Sequence, residues 1–107
     1  MNAAAIKRQN SQMTNLPADT WTDVSETIAT GEVLVVTDVL ISSNQGQAVQ
    51  QFRAWNGSAS YAVWTLATSS DRSEQIHFRQ AVHLKDGYRL QASASANSYC
   101  TVNYYVI

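Results

Sequence analysis

The chain has 107 residues, enough for one domain and too few for two hydrophobic cores. Hydrophobic residues make up 45% and charged residues only 14%, where about 25% is usual. The polar surface therefore falls to Ser, Thr, Gln and Asn, which disfavours both long surface helices and intrinsic disorder. A net charge of −1, with no basic cluster beyond Lys7-Arg8, provides no field for nucleic acid or an anionic membrane. No apolar run reaches the roughly 20 residues of a membrane span. The single cysteine, Cys100, excludes an intramolecular disulfide and a multi-cysteine zinc site. The opening MNAAAIKRQN lacks the apolar core of a signal peptide, so synthesis in a reducing cytoplasm is expected.

Residues 1–18 differ from the rest and read as an N-terminal arm, leaving residues 19–107 as the folded domain. Ala3 to Gln9 could form a helical turn or two, although so short a helix is marginal alone. Asn15-Leu16-Pro17 favours an extended or turning chain. From residue 20 onward short strands alternate with turn signals. Thr20 to Ile28 ends at Ala29-Thr30-Gly31. Val33 to Ile41 has the β-branched density of a strand and no helical period. A polar loop follows at residues 42–47. Ala48 to Trp55 and Ser58 to Leu66 flank Asn56-Gly57, the signature of a type I′ hairpin. A second polar loop covers residues 67–74. Ile76, Phe78, Val82 and Leu84 mark another extended stretch before the turn Lys85-Asp86-Gly87. Tyr88 to Ala94 alternates with period two, Ala96-Asn97-Ser98 turns the chain, and Tyr99 to Ile107 is the last strand. The pattern predicts an all-β fold: an antiparallel β-sandwich or jelly roll of seven or eight strands carrying an N-terminal arm.

Two of these strands are apolar on both faces. The last carries Cys100, Val102, Tyr104 and Val106 on one face and Tyr99, Thr101, Asn103, Tyr105 and Ile107 on the other. The strand from Val33 is two-sided at its start. One face fills the core; the second needs cover from the arm or from another subunit, because burying a large apolar side chain contributes roughly 1.5–3 kcal/mol. A homo-oligomer is therefore expected, with closed three-fold symmetry the first expectation. The candidate contact residues are Ile6, Met13 and Leu16 of the arm with Tyr99, Tyr105 and Ile107 of the last strand.

Catalysis is hard to place. His77 and His83 lie too far apart along a strand to share a metal, about 20 Å at roughly 3.3 Å per residue. Neither sits in an HExxH pattern, and there is no GxSxG, GxGxxG or P-loop. Asp19, Asp23 and Asp38 lack calcium-loop spacing. Cys100, in an apolar strand, reads as an inert core thiol. No catalytic residue, metal or cofactor is expected. Three hairpin aromatics, Trp55, Tyr61 and Trp64, offer an alternative: strand alternation sends Tyr61 and Trp64 to opposite faces, and an outward ring could stack on a sugar.

The segments Thr20-Trp21-Thr22-Asp23-Val24, Ile28-Ala29-Thr30-Gly31-Glu32-Val33 and Val36-Thr37-Asp38-Val39-Leu40-Ile41-Ser42-Ser43, with Leu84 to Ala94 later, resemble the strand and turn succession of small β-sandwich structural proteins of tailed bacteriophage virions. The resemblance spans residues 20–95 and is one of turns and alternation. The chain departs from it at Ala29-Thr30, where the pattern has proline, and at Gly87, which Tyr88 follows. It implies a non-enzymatic virion part made in the host bacterial cytoplasm. A capsid decoration (cement) protein gripping the major capsid protein is the first expectation. A neck, tail or fibre component, or a receptor- or glycan-binding module, is the alternative. It implies no nucleic-acid or membrane partner and transfers no catalytic residue.

Overall fold

A computed structural model describes residues 6–43, 48–67, 73–85 and 87–107. Eight strands run in chain order: β1 (Arg8–Leu16), β2 (Thr22–Asp23), β3 (Leu34–Ser42), β4 (Val49–Trp55), β5 (Ser60–Ala67), β6 (Ser73–Leu84), β7 (Arg89–Ala94) and β8 (Ser98–Val106). They form two four-stranded antiparallel sheets, ordered β1-β8-β3-β6 and β2-β7-β4-β5. The first strand thus pairs with the last, the second with the seventh, the third with the sixth and the fourth with the fifth. One long hairpin rolled over itself in this way is the jelly-roll arrangement. There is no helix among the described residues.

Residues 8–16, expected as an arm reaching a neighbour, are extended and pair with the chain's own β8 from Arg8↔Val106 to Leu16↔Ser98. Leu16 is 1% exposed and belongs to the core, which corrects its assignment as a contact residue. Beyond it the chain crosses to the second sheet. Ala18 N–H donates to Asn97 Oδ1 at 2.9 Å and Asp19 N–H to Ala94 O at 2.7 Å, with Asp19 left-handed at φ 58°. Only Thr22 and Asp23 of the strand expected over 20–28 enter the β ladder.

The core lies between the sheets. Val36, Val39, Ile41, Cys100, Val102, Tyr104 and Val106 from the first sheet meet Phe52, Ala54, Leu90, Ala92 and Ala94 from the second. Gln50 is fully buried and ties the layers: its Nε2 donates to Ser98 Oγ at 3.0 Å and to Tyr99 O at 3.1 Å. At the β5–β6 side an aromatic cluster closes the sandwich. Trp64 stacks on Phe52 with centroids 4.8 Å apart and meets Phe78 edge-on at 4.9 Å, arrangements the ring quadrupoles favour. Burial raises the Cys100 thiol to about 12, consistent with an inert core thiol.

Asn56-Gly57 does turn a hairpin, with a four-residue connection instead of a type I′ turn. Trp55 pairs with Ser60. Asn56 Oδ1 accepts from Ser58 N–H at 2.9 Å and from Ala59 N–H, and Gly57 takes φ 97°. The asparagine side chain caps the loop, the Asx alternative to a positive φ at that residue. The polar loops expected at 42–47 and 67–74 fall outside the described residues at 44–47 and 68–72, as do residues 3–5 of the helical turn expected over 3–9 and residue 86 of the turn expected at 85–87.

An ionic clamp fastens the start of β1. The Arg8 guanidinium binds both Glu32 carboxylate oxygens at 3.0 Å and also reaches Glu26. Glu32 further accepts Ala29 N–H at 2.9 Å and faces Lys7 Nζ at 3.6 Å. The Arg8 hydrogen bonds, then the Ala29 N–H, hold the Glu32 carboxyl at about 2 instead of 4.5. A carboxyl depressed on folding stabilises the fold above its unfolded pKa and loses that contribution as pH falls through its folded value, so the window runs from 4.5 to about 2. We expect β1 amides facing β8 to lose hydrogen-exchange protection across that window while β3 amides stay protected, and Glu32→Gln to show weakened β1 protection already at neutral pH. Unchanged β1 protection in acid would contradict the clamp.

Candidate interaction surfaces

The first sheet's outer face is built from the residues that alternate with the core positions. Register places them in rows: Gln9-Tyr105-Val35-His83, then Met13-Thr101-Leu40-Gln75, then Asn15-Tyr99-Ser42-Ser73. Met13 is 74% exposed, Leu40 and Tyr99 37% each. These three residues, from three adjacent strands, form an apolar strip. Residues 8–16 widen this sheet by pairing with β8.

Between the first two rows a bulge at Thr37 interrupts β3 and seats a polar network. Asp38 accepts from Asn103 Nδ2 at 2.8 Å, Thr37 Oγ1 at 2.9 Å and Gln75 Nε2 at 3.2 Å. Burial pushes the Asp38 carboxyl up, but the hydrogen bonds from Asn103, Thr37 and Gln75, with His77 nearby, together hold it below its usual value. It is an ionised, fully engaged carboxylate, a poor general acid or base at neutral pH. Beside it lies an open hollow of about 450 Å³ lined by Gln9, Asn10, Ser11, Thr37, Asn103, Tyr104 and Tyr105. Its described lining offers amides, hydroxyls and phenols for hydrogen bonding, and the Tyr104 hydroxyl donates to Glu26 Oε2 at 3.1 Å.

The second sheet's outer face carries a different surface. The Arg53 guanidinium sits between two indoles, 4.1 Å from the Trp21 ring centre and 4.5 Å from that of Trp55. Its Nε and a terminal nitrogen donate to Gln91 Oε1 at 2.9 and 2.8 Å. Gln91 Nε2 and Arg89 Nε donate to Asp23 Oδ1 at 2.7 and 2.8 Å. The β2-β7-β4 pairing brings these residues into line: Asp23↔Gln91↔Arg53 is one row and Arg89↔Trp55 the next.

The sequence candidates are therefore divided. Met13 and Tyr99 meet on the first outer face, and Tyr105 lies half-buried on the same face. Ile6 is 49% exposed just before β1, and Ile107 exchanges both backbone hydrogen bonds with Val33 at the sheet's end. Trp55 lies on the second outer face. Trp64 is half-buried and packs on Phe52 against the core, which corrects its role as an outward sugar platform. A bulge in β5 pairs Phe52 with Trp64 but Arg53 with Ala62, so the alternation that separated Tyr61 from Trp64 does not hold. Register sets Tyr61 opposite Ala54, and its side chain lies outside the described part of the structure. The sequence reading does not single out Leu40 on the first face or Trp21, Arg53 and Gln91 on the second; Trp21 meets Arg53 only through the β2-β7-β4 pairing. Strand parity relative to Val39 and Ile41 is the signal that could have exposed Leu40.

No family model and no curated protein sequence matches the chain. Among solved structures, the chain is similar to the Eiger TNF of S. frugiperda, with 14% identity, TM-score 0.50, and coverage of 89% of this chain and 83% of that one. It is also similar to a pentameric capsid protein from metagenomic phage sequences, with 16% identity, TM-score 0.49, and coverage of 97% of this chain and 62% of that one. The first likeness agrees with the jelly-roll fold read from the strand order.

The two tryptophans of β4 and β5 should separate sharply. Trp64→Ala opens the core beside Phe52 and Phe78 and is expected to cost ~3–5 kcal/mol of stability in urea unfolding. Trp55→Ala loses one cation–π contact on the surface and should cost about 1 kcal/mol or less. Equal losses would contradict this placement.

Proposed function

We propose that the protein is a non-enzymatic structural component of a bacteriophage virion, a capsid decoration protein that works by adhesion and forms a closed homo-oligomer. The observation that carries this reading is the Met13-Leu40-Tyr99 strip on the outer face of the β1-β8-β3-β6 sheet. Apolar side chains from three strands form it, and residues 8–16 extend the sheet alongside β8. The jelly-roll topology and the resemblance of residues 20–95 to phage structural proteins support the same reading. So does the hollow beside Asp38, whose described lining offers groups for hydrogen bonding. Ile6, exposed ahead of β1, is placed to extend the contact to a neighbour or to the major capsid protein.

A second reading is favoured by the Trp21-Arg53-Trp55 stack with Asp23 and Gln91 beside it. Indole faces next to carboxylate and amide groups suit a sugar of a host receptor.

The test is incorporation into particles. Leu40→Lys places an ammonium group in the strip, at an exposed position where the fold tolerates it, and should weaken association at least tenfold. Mass spectrometry of purified particles should find the wild-type chain in high copy number and the folded Leu40→Lys variant depleted. Equal incorporation would remove the strip from the mechanism, and absence of the wild-type chain would remove the virion reading. Glycan binding lost in Trp21→Ala or Trp55→Ala, with incorporation intact, would favour the second reading.

A further inference from the structure

The four sheet edges differ in a way the outer faces do not explain. An edge strand exposes unpaired backbone groups, and proteins blunt such edges by shortening, bulging or charging them. At the other edge positions β2 has two residues. β5 carries a bulge opposite Phe52 and Arg53. β6 breaks register between Val82 and His77 and carries Glu74 and Arg79. The β1 edge has none of these devices. Its nine residues keep unbroken register with β8, and from Gln9 to Leu16 it has no charge and no proline. The one charge in the strand, Arg8, is already neutralised by Glu26 and Glu32.

Backbone parity fixes what this edge offers. Val33 and Ile107 exchange both backbone hydrogen bonds, so odd-numbered residues of β8 face β3 and even-numbered ones face β1. Their β1 partners, Arg8, Asn10, Gln12, Thr14 and Leu16, are spent on β8. The N–H and C=O groups of Gln9, Ser11, Met13 and Asn15 point away from the sheet, and no described strand pairs with them.

We propose that the β1 edge is a two-fold interface at which a second copy of this chain adds its own β1 antiparallel, joining two four-stranded sheets into one of eight. The self-pairing has one best register. Centred on Gln12, it sets Gln9 against Asn15 and Ser11 against Met13 of the other copy, so every outward residue is matched and about eight backbone hydrogen bonds form. Arg8 falls opposite Leu16, so no like charges meet. The same register brings the two Met13 side chains diagonally together across the seam, within reach of each other, and covers the most exposed of the large apolar residues. A second copy is the fitting occupant because the edge is self-complementary, as an isologous contact requires. The inference uses the backbone edge of the sheet and shares only Met13 with the face contact above.

Two variants test it. Ser11→Pro removes an outward N–H that the fold does not use, a position where an edge strand accepts proline. It should stay folded by circular dichroism and weaken two-fold association at least tenfold in sedimentation velocity, whereas Leu40→Lys should leave that association intact. Gln12→Cys, in a Cys100→Ala background, places thiols at the non-hydrogen-bonded centre of the seam. Opposed Cα atoms there lie about 4.5 Å apart, within disulfide range, so mild oxidation should give a covalent dimer. A folded Ser11→Pro variant with unchanged association overturns the proposal. If that variant fails to fold, the cross-link decides, and its absence overturns the proposal equally.

Discussion

The last strand, β8, is hydrogen-bonded on both sides over nearly its whole length, to β1 on one side and β3 on the other. This double pairing organises the rest of the molecule. It draws the N-terminal segment into the sheet, so Leu16 reaches the core and Arg8 reaches Glu26 and Glu32. It commits one face of β8, Cys100 through Val106, to the interior. It leaves the other face, from Tyr99 to Tyr105, looking outward between Met13 and Leu40.

The two outer surfaces have different physics. The second sheet's polar and aromatic residues satisfy one another: Arg53 lies between Trp21 and Trp55, and Asp23 takes hydrogen bonds from Gln91 and Arg89. The first sheet's outer face divides into a satisfied polar patch around Asp38 and an apolar strip that no described strand covers. The Asp38 carboxylate is held by three hydrogen bonds, while an exposed strip of Met, Leu and Tyr gains free energy when water leaves it.

Much of the fold was legible because it rests on short-range signals. The β-branched run from Val33 to Ile41, the period-two alternation of residues 88–94 and the Asn-Gly turn each carry their strand or hairpin in local chemistry. The two-sided character of the last strand was legible for the same reason and led to the outer face. What escaped depends on pairing between distant segments. Nothing in the polar stretch RQNSQMTNL says that it will close the sheet beside residues Ser98 to Val106, since its edge position removes the apolar alternation that marks a half-buried strand. A single inserted residue in β5 reversed the parity at Trp64, because alternation has a period of two and any bulge resets it. Trp21 and Arg53 meet only through an intervening strand, which local patterning cannot show.

The central claim is that this jelly roll leaves more apolar sheet surface in water than it can hide and therefore associates with its own copies. Native mass spectrometry of the purified wild-type chain over a concentration series tests this most directly. A closed homo-oligomer that persists at micromolar concentration is the predicted result. A monomer at every concentration, folded and free of higher species, would contradict it.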